Sequence, residues 1–248
     1  MRRSYRATAP LVIMRSMRVV LEPAPGARIV ADHLPGDAPA LVFLHGLVSV
    51  RRGEKSTALF DLAARTGRAA WRFDFRGHGE SSGVLHDTTL TELIADARCV
   101  LEASGPAFLV GSSLGGLVAA WTAARHPEFV RGLVLLAPAL RFLPRLIARS
   151  RADGTIVLDH GVGELRFSER VRADLERHDE TEMAAAIRPP VFVAHGALDD
   201  TVPVDASRDF LARVPHARKL LWVVPDGDHR LNRPITAILR RAARFHGF

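Results

Sequence analysis

Ser113 stands between Gly111 and Gly115 in the stretch Phe108-Leu-Val-Gly-Ser-Ser-Leu-Gly-Gly116. A serine with a glycine two residues to either side has the G-x-S-x-G spacing of a hydroxyl raised on a tight strand-to-helix turn. The small residues let neighbouring backbone pass without a Cβ clash. Ser112 lacks that symmetry. A hydroxyl is a weak nucleophile, so the chemistry also needs a base in hydrogen-bond reach and a carboxylate to orient the base. In the order serine, acid, histidine, two downstream strand ends qualify. One is Val191-Phe-Val-Ala-His-Gly-Ala-Leu-Asp199-Asp200, the other Leu220-Leu-Trp-Val-Val-Pro-Asp-Gly-Asp-His229. His229 follows a Gly227-Asp228 turn and is the candidate base. Asp199 and Asp200 are adjacent, and spacing alone does not choose between them. His246 falls inside a helical pattern near the chain end. His45, His78 and His195 each precede a glycine and read as turn or framework histidines.

The elements that must carry these groups are legible as alternating strands and helices. Met17 to Leu21 and Ala27 to Ala31 flank Pro-Ala-Pro-Gly26 and predict a β-hairpin. Residues 34–40 have turn composition. Leu41 to Leu44, Ala69 to Phe73, Phe108 to Val110, Val130 to Ala137, Pro190 to His195 and Lys219 to Val224 are apolar runs of buried-strand type. Helical spacing covers Thr57 to Thr66, Thr89 to Ala103, Leu117 to Arg125, Val204 to Arg213 and Pro234 to Arg244. Strand and helix in alternation predict an α/β fold with a doubly wound, mostly parallel sheet. The rhythm breaks at about 139–187. There Thr155 to Leu158 and Glu164 to Phe167 read as a second hairpin, and Ser168 opens a short helix. This insertion is expected to be a small lid on one domain spanning 1–248. Acid and base then both lie on loops at the carboxyl edge of the sheet, where open α/β folds bind ligands.

Composition narrows the classes. A chain of 248 residues, 48% of them hydrophobic, can bury one large core. No apolar run approaches the roughly 20 residues of a membrane span. Residues 1–16 lack periodicity and a continuous signal-type apolar stretch, and Met14 and Met17 are candidate initiators. The single cysteine, Cys99, excludes an intramolecular disulfide, so a reducing, cytoplasmic setting is expected. The net charge of +7 comes almost wholly from arginines spread along the chain, and Lys55 and Lys219 are the only lysines. With no accompanying motif, this charge does not indicate nucleic acid. No metal-ligand spacing, phosphate loop or dinucleotide fingerprint occurs, so no cofactor and no metal are expected. Oligomeric state is not readable.

Four motifs in order resemble the α/β-hydrolase superfamily, from Leu41 to Phe245. They are His45-Gly46-Leu47, Asp74-Phe-Arg-Gly-His-Gly-Glu-Ser81, Gly111-Ser-Ser-Leu-Gly-Gly116 and His195-Gly-Ala-Leu-Asp-Asp-Thr-Val-Pro203. The last is similar to an acid loop, H-G-x-x-D-x-x-V-P, whose acid is the fifth residue, which assigns Asp199. Gly-Ser-Ser-Leu-Gly-Gly, Leu-Asp-Asp-Thr-Val-Pro, Asp228-His-Arg-Leu231 and the hairpin-bearing lid resemble the acyl-protein thioesterase and acyl-glucuronide esterase branch. The sequence departs from that branch at His45, where a proline is usual.

The resemblance implies a serine hydrolase that cleaves carboxylic esters or thioesters through an acyl-enzyme on Ser113. His229 would act as the base, Asp199 as its orienting acid, and the backbone N–H groups of Leu47 and Leu114 as the oxyanion hole. Related dehalogenases and epoxide hydrolases carry an aspartate where Ser113 stands. The alternatives on the same scaffold are a non-catalytic ligand receptor and a non-hydrolytic lyase. The lid carries Arg141, Arg145, Arg149, Arg151, Arg166, Arg170 and Arg172, which would favour anionic substrates if they faced the site. Arginine is abundant throughout the chain, and that accounts for them more simply.

Overall fold

The computed structural model describes residues 16–141, 156–159 and 164–248. Strands β1 (Met17–Ala24) and β2 (Ala27–Leu34) form the expected antiparallel hairpin, which turns at Pro25 and Gly26. β2 pairs antiparallel with β4 (Arg68–Phe73). From there the sheet is parallel: β4, β3 (Asp37–Leu44), β5 (Ala107–Ser112), β6 (Val130–Leu136), β9 (Val191–Gly196) and β10 (Lys219–Val224) lie side by side in that order. Along the parallel strands successive residues feed opposite faces, so both faces need cover. In β3, Val42 and Leu44 join one core cluster, while Leu41 and Phe43 join the other.

Helices supply that cover. They are α1 (Glu54–Thr66), α2 (Leu90–Ser104), α3 (Leu114–Arg125), α6 (Val204–Arg213) and α7 (Ile235–His246). α2 starts where sequence suggests, because Thr89 and Glu92 form a reciprocal capping box. Between β6 and β9 the chain adds the antiparallel pair β7 (Ile156–Asp159) and β8 (Glu164–Phe167). The short helices α4 (Glu169–Leu175), capped by the Ser168 hydroxyl, and α5 (Glu180–Ala186) follow. Residues 142–155 and 160–163, a large part of the expected lid, lie outside the described residues. α4 is tied to the body of the fold by Asp174, which accepts from the Thr91 amide at 3.0 Å and its hydroxyl at 2.6 Å.

Three boundaries and one helix that differ from expectation each have a local reason. β3 begins at Asp37, inside the stretch read as turn, because Asp37 already pairs with Arg68 before the register shifts to Leu41 opposite Ala70. α1 begins at Glu54, not Thr57, with the Ser56 hydroxyl accepting from the Gly53 amide. α3 begins at Leu114, immediately after Ser113, so Gly115 and Gly116 belong to its first turn. α5 was not expected. Its cap Asp179, which accepts from the Thr181 and Glu182 amides, was the available signal.

Register decides where the strand ends fall. Leu44 pairs with Gly111, Ser112 with Leu136, Leu136 with Ala194, and Val223 with His195. The loops after β3, β5, β9 and β10 therefore leave from one edge of the sheet. Among the described residues no helix is long and apolar enough to cross a membrane.

Candidate active site

Ser113 is the residue between β5 and α3, and its backbone sits at φ 52° and ψ −116°. Few non-glycine residues adopt a positive φ, and such strain is held only where the surroundings enforce it. Here the Ser113 amide donates to Leu136 O at 3.0 Å, and its carbonyl accepts from Gly116, Leu117 and Ala139. The glycines are required for close approach. A Cβ on Gly111 would lie 2.3 Å from Gly115 O, and one on Gly115 would lie 2.2 Å from Leu44 O. Ser112 is buried in β5.

The structure brings Ser113, His229 and Asp199 together. Ser113 Oγ lies 3.0 Å from His229 Nε2, and His229 Nδ1 lies 2.8 Å from Asp199 Oδ2. Nδ1 donates to the carboxylate, which leaves Nε2 free to take the serine proton. The two partner loops touch backbone to backbone, since a Cβ on Gly196 would fall 2.2 Å from Gly227 O. Asp200, which spacing alone could not separate from Asp199, is exposed and accepts from the Thr201 hydroxyl. The Asp199 side chain is fully buried. Burial alone would raise its pKa. The bonds from His195 and His229 and from the Val202 amide outweigh that and hold the carboxyl well below the usual range.

His195 is a framework residue, as its position before Gly196 suggested, yet it also reaches the site. Its Nε2 lies 3.0 Å from Asp199 Oδ2, the oxygen that also takes His229. The signal in the sequence was the four-residue spacing of His195 and Asp199 across one tight turn. His246 sits on α7 with Nε2 bonded to Leu133 O, away from the serine.

The loop after β3 forms the other flank. His45 is buried; its Nε2 accepts from the Phe75 amide at 3.1 Å, so Nδ1 carries the proton and donates to Gly46 O at 2.8 Å. Burial and the neighbouring His78 pull the His45 pKa down to about 4. This bond fixes the peptide between Gly46 and Leu47 and so the direction of the Leu47 N–H. Leu114 N–H is the first amide of α3, a position with no intrahelical acceptor. Val48 has a φ of 54°, an outlier for a β-branched residue. Behind this loop the buried Arg51 pairs with Asp74 and Glu80, and the Arg51 amide donates to Asp74 at 2.7 Å. The Asp74–Ser81 turn thus braces the loop from below.

A cavity of about 380 Å³ opens beside Ser113 and His229 between Leu47, Lys55 and Arg230. Lys55 makes no hydrogen bond or ion pair with a described residue. Burial pulls its ammonium below the ordinary lysine value, partly offset by Asp228 and Glu54. Of the four described lid arginines, Arg141, Arg166, Arg170 and Arg172, three are paired elsewhere: Arg141 with Asp209, Arg170 with Glu92 and Arg172 with Glu176. Arg145, Arg149 and Arg151 lie outside the described residues. Among the described residues no cluster of histidine, cysteine and carboxylate side chains could hold a metal ion.

A doubly wound sheet that presents serine, histidine and carboxylate in one hydrogen-bonded row defines the class of α/β hydrolases. Comparison with known proteins agrees. Residues 39–153 match the model of the alpha/beta hydrolase fold, and residues 101–248 match that of the prolyl oligopeptidase family. The human mitochondrial palmitoyl-protein thioesterase ABHD10 is 29% identical over 213 residues, covering 80% of this chain and 69% of that protein. An esterase of Mycobacterium tuberculosis is 38% identical over 141 residues, covering 52% of this chain and 43% of that protein. The structure of mouse alpha/beta hydrolase domain-containing protein 10 superposes with a TM-score of 0.83 at 25% identity, covering 92% of this chain and 97% of that one. The chain has the α/β-hydrolase fold, and it is a hydrolase.

Proposed function

We propose that the protein hydrolyses carboxylic esters or thioesters through an acyl-enzyme on Ser113. The observation that carries the reading is the unbroken row from Ser113 Oγ to His229 at 3.0 Å and on to Asp199 at 2.8 Å. His229 Nε2 accepts the Ser113 proton as Oγ attacks the carbonyl carbon, then returns it to the departing alkoxide or thiolate. Asp199 keeps His229 in the tautomer with Nδ1 protonated and stabilises the imidazolium. The Leu47 and Leu114 N–H groups receive the oxyanion, an effect typically worth about 3 kcal/mol per donor. Water then repeats the sequence on the acyl-enzyme. The names of the thioesterase and esterase relatives support an acyl ester or thioester as substrate. The match to the prolyl oligopeptidase family favours a second reading, amide hydrolysis by the same three residues.

The test is initial rate on p-nitrophenyl acetate, butyrate, octanoate and palmitate, one acyl-CoA and one peptide p-nitroanilide, for wild type and Ser113→Ala. Ser113-dependent turnover of the esters or the acyl-CoA is the expected result. Turnover of the anilide alone would replace it with the amide reading. A folded protein that turns over none, and takes no fluorophosphonate label on Ser113, would be a receptor.

A further inference from the structure

Asp199 Oδ2 lies between two imidazoles. His229 Nδ1 approaches it at 2.8 Å and His195 Nε2 at 3.0 Å. Each histidine in turn meets a serine, with His229 Nε2 3.0 Å from Ser113 Oγ and His195 Nδ1 2.8 Å from Ser207 Oγ. The row therefore reads Ser113, His229, Asp199, His195, Ser207, roughly symmetric about one carboxylate oxygen. Its outer half is closed to solvent, since His195 and Ser207 are both fully buried. His195 Nε2 faces only acceptors, Asp199 Oδ2 and Val202 O at 2.9 Å. That nitrogen must carry the proton, and Nδ1 accepts from the Ser207 hydroxyl. The other carboxylate oxygen, Oδ1, takes the Thr201 and Val202 amides at 3.0 and 2.8 Å.

The two oxygens are held in different ways. Oδ1 is fixed by amides of its own tight turn. Among the described residues Oδ2, the oxygen that orients the base, has no backbone donor and a single buried side-chain donor besides His229. We infer that His195 is a positioning residue, whose Nε2–H, steadied by Ser207 on α6, holds Asp199 Oδ2 where His229 Nδ1 must meet it. The inference rests on Ser113, His229 and Asp199 being the reacting groups. A carboxylate free to rotate lets the imidazole drift from Ser113, and misplacement on the ångström scale lowers turnover by up to about a hundredfold.

Two substitutions separate this role from mere packing. In His195→Gln the side-chain amide nitrogen falls near the lost Nε2 and can still donate to Asp199. In His195→Asn the shorter amide stays near Ser207 and cannot reach the carboxylate. The expected result is kcat within about threefold of wild type for His195→Gln and about 10–100-fold lower for His195→Asn, with KM little changed in both. Ser207→Ala should lower kcat severalfold. Equal losses in the Gln and Asn variants that follow their melting temperatures would overturn the inference in favour of packing. So would unchanged kcat in His195→Asn. A second readout does not depend on turnover: the low-field proton resonance of His229 Nδ1–H. It should persist in His195→Gln and shift or broaden in His195→Asn and Ser207→Ala, and an unchanged signal in the last two would also overturn the inference. If wild type hydrolyses none of the substrates, the reading of the triad fails, while this resonance still decides what His195 does to Asp199.

Discussion

The two flanks of Ser113 are built on different terms. On the acid–base flank the carboxylate and both imidazoles have a partner for each polar atom, and the loops that carry them are in backbone contact at Gly196 and Gly227. On the oxyanion flank the loop is braced from behind by His45 and by Arg51 on Asp74, while its outer side opens onto a cavity. There Val48 is strained and Lys55 has no acceptor among the described residues. The groups proposed to move protons are already hydrogen-bonded to one another, which matches the general need for preorganisation. On the cavity side, Lys55 keeps a charge with no partner among the described residues.

Substitutions can test that division, beginning with the largest effect. Ser113→Ala should lower kcat by about a millionfold in the p-nitrophenyl ester assay, because the remaining groups cannot replace the nucleophile. Asp199→Asn should lower kcat by about ten-thousandfold, since an amide facing Nδ1 favours the wrong imidazole tautomer. Asp200→Ala, at the neighbouring exposed position, should stay within about twofold of wild type. Loss of activity at 200 and not at 199 would dismantle the acid–base flank as described.

The oxyanion flank carries an acid-sensitive residue. His45 is neutral in the fold with a pKa of about 4 against an ordinary 6.5. Between these values the unfolded chain takes up a proton that the folded chain refuses. Stability is therefore full above about pH 6.5 and falls as pH drops towards 4, by up to about 3 kcal/mol from this residue. Urea midpoints measured from pH 7 to 4 should show the slope, and a His45→Gln variant should reduce it by this residue's share, leaving that of the buried His246. The smallest effect concerns Lys55. Lys55→Gln should lower kcat/KM for an ester bearing a carboxylate several times more than for its neutral analogue. Equal effects on the two would mean that solvent already satisfies the ammonium.

Much of this was legible because the residues at the carboxyl edge of a parallel sheet answer to order along the chain. Gly111, Ser113 and Gly115 announce the turn, and the apolar runs ending at His195 and Val224 announce the loops that follow. The hairpin β7–β8 and the Ser168 cap were equally local. What escaped was contact between elements. His195 looks like any turn histidine until Ser207 and Asp199 close on its two nitrogens. Lys55 gains meaning only when α1, shifted three residues upstream of its apparent start, brings it to the cavity wall. Tertiary pairing also drew Asp37 into β3 against its turn-like composition.

The strand order is also a timetable for synthesis. Ser113 emerges with the middle of the sheet, whereas His229 follows it by 116 residues and depends on β10, an outermost strand. Each earlier stage of the growing chain holds a serine with no base. If His229 is the base, as proposed, a chain cut short before β10 should be inactive even with its central strands paired. Under the proposed mechanism, hydrolysis requires β10 beside β9 and its loop packed on Gly196.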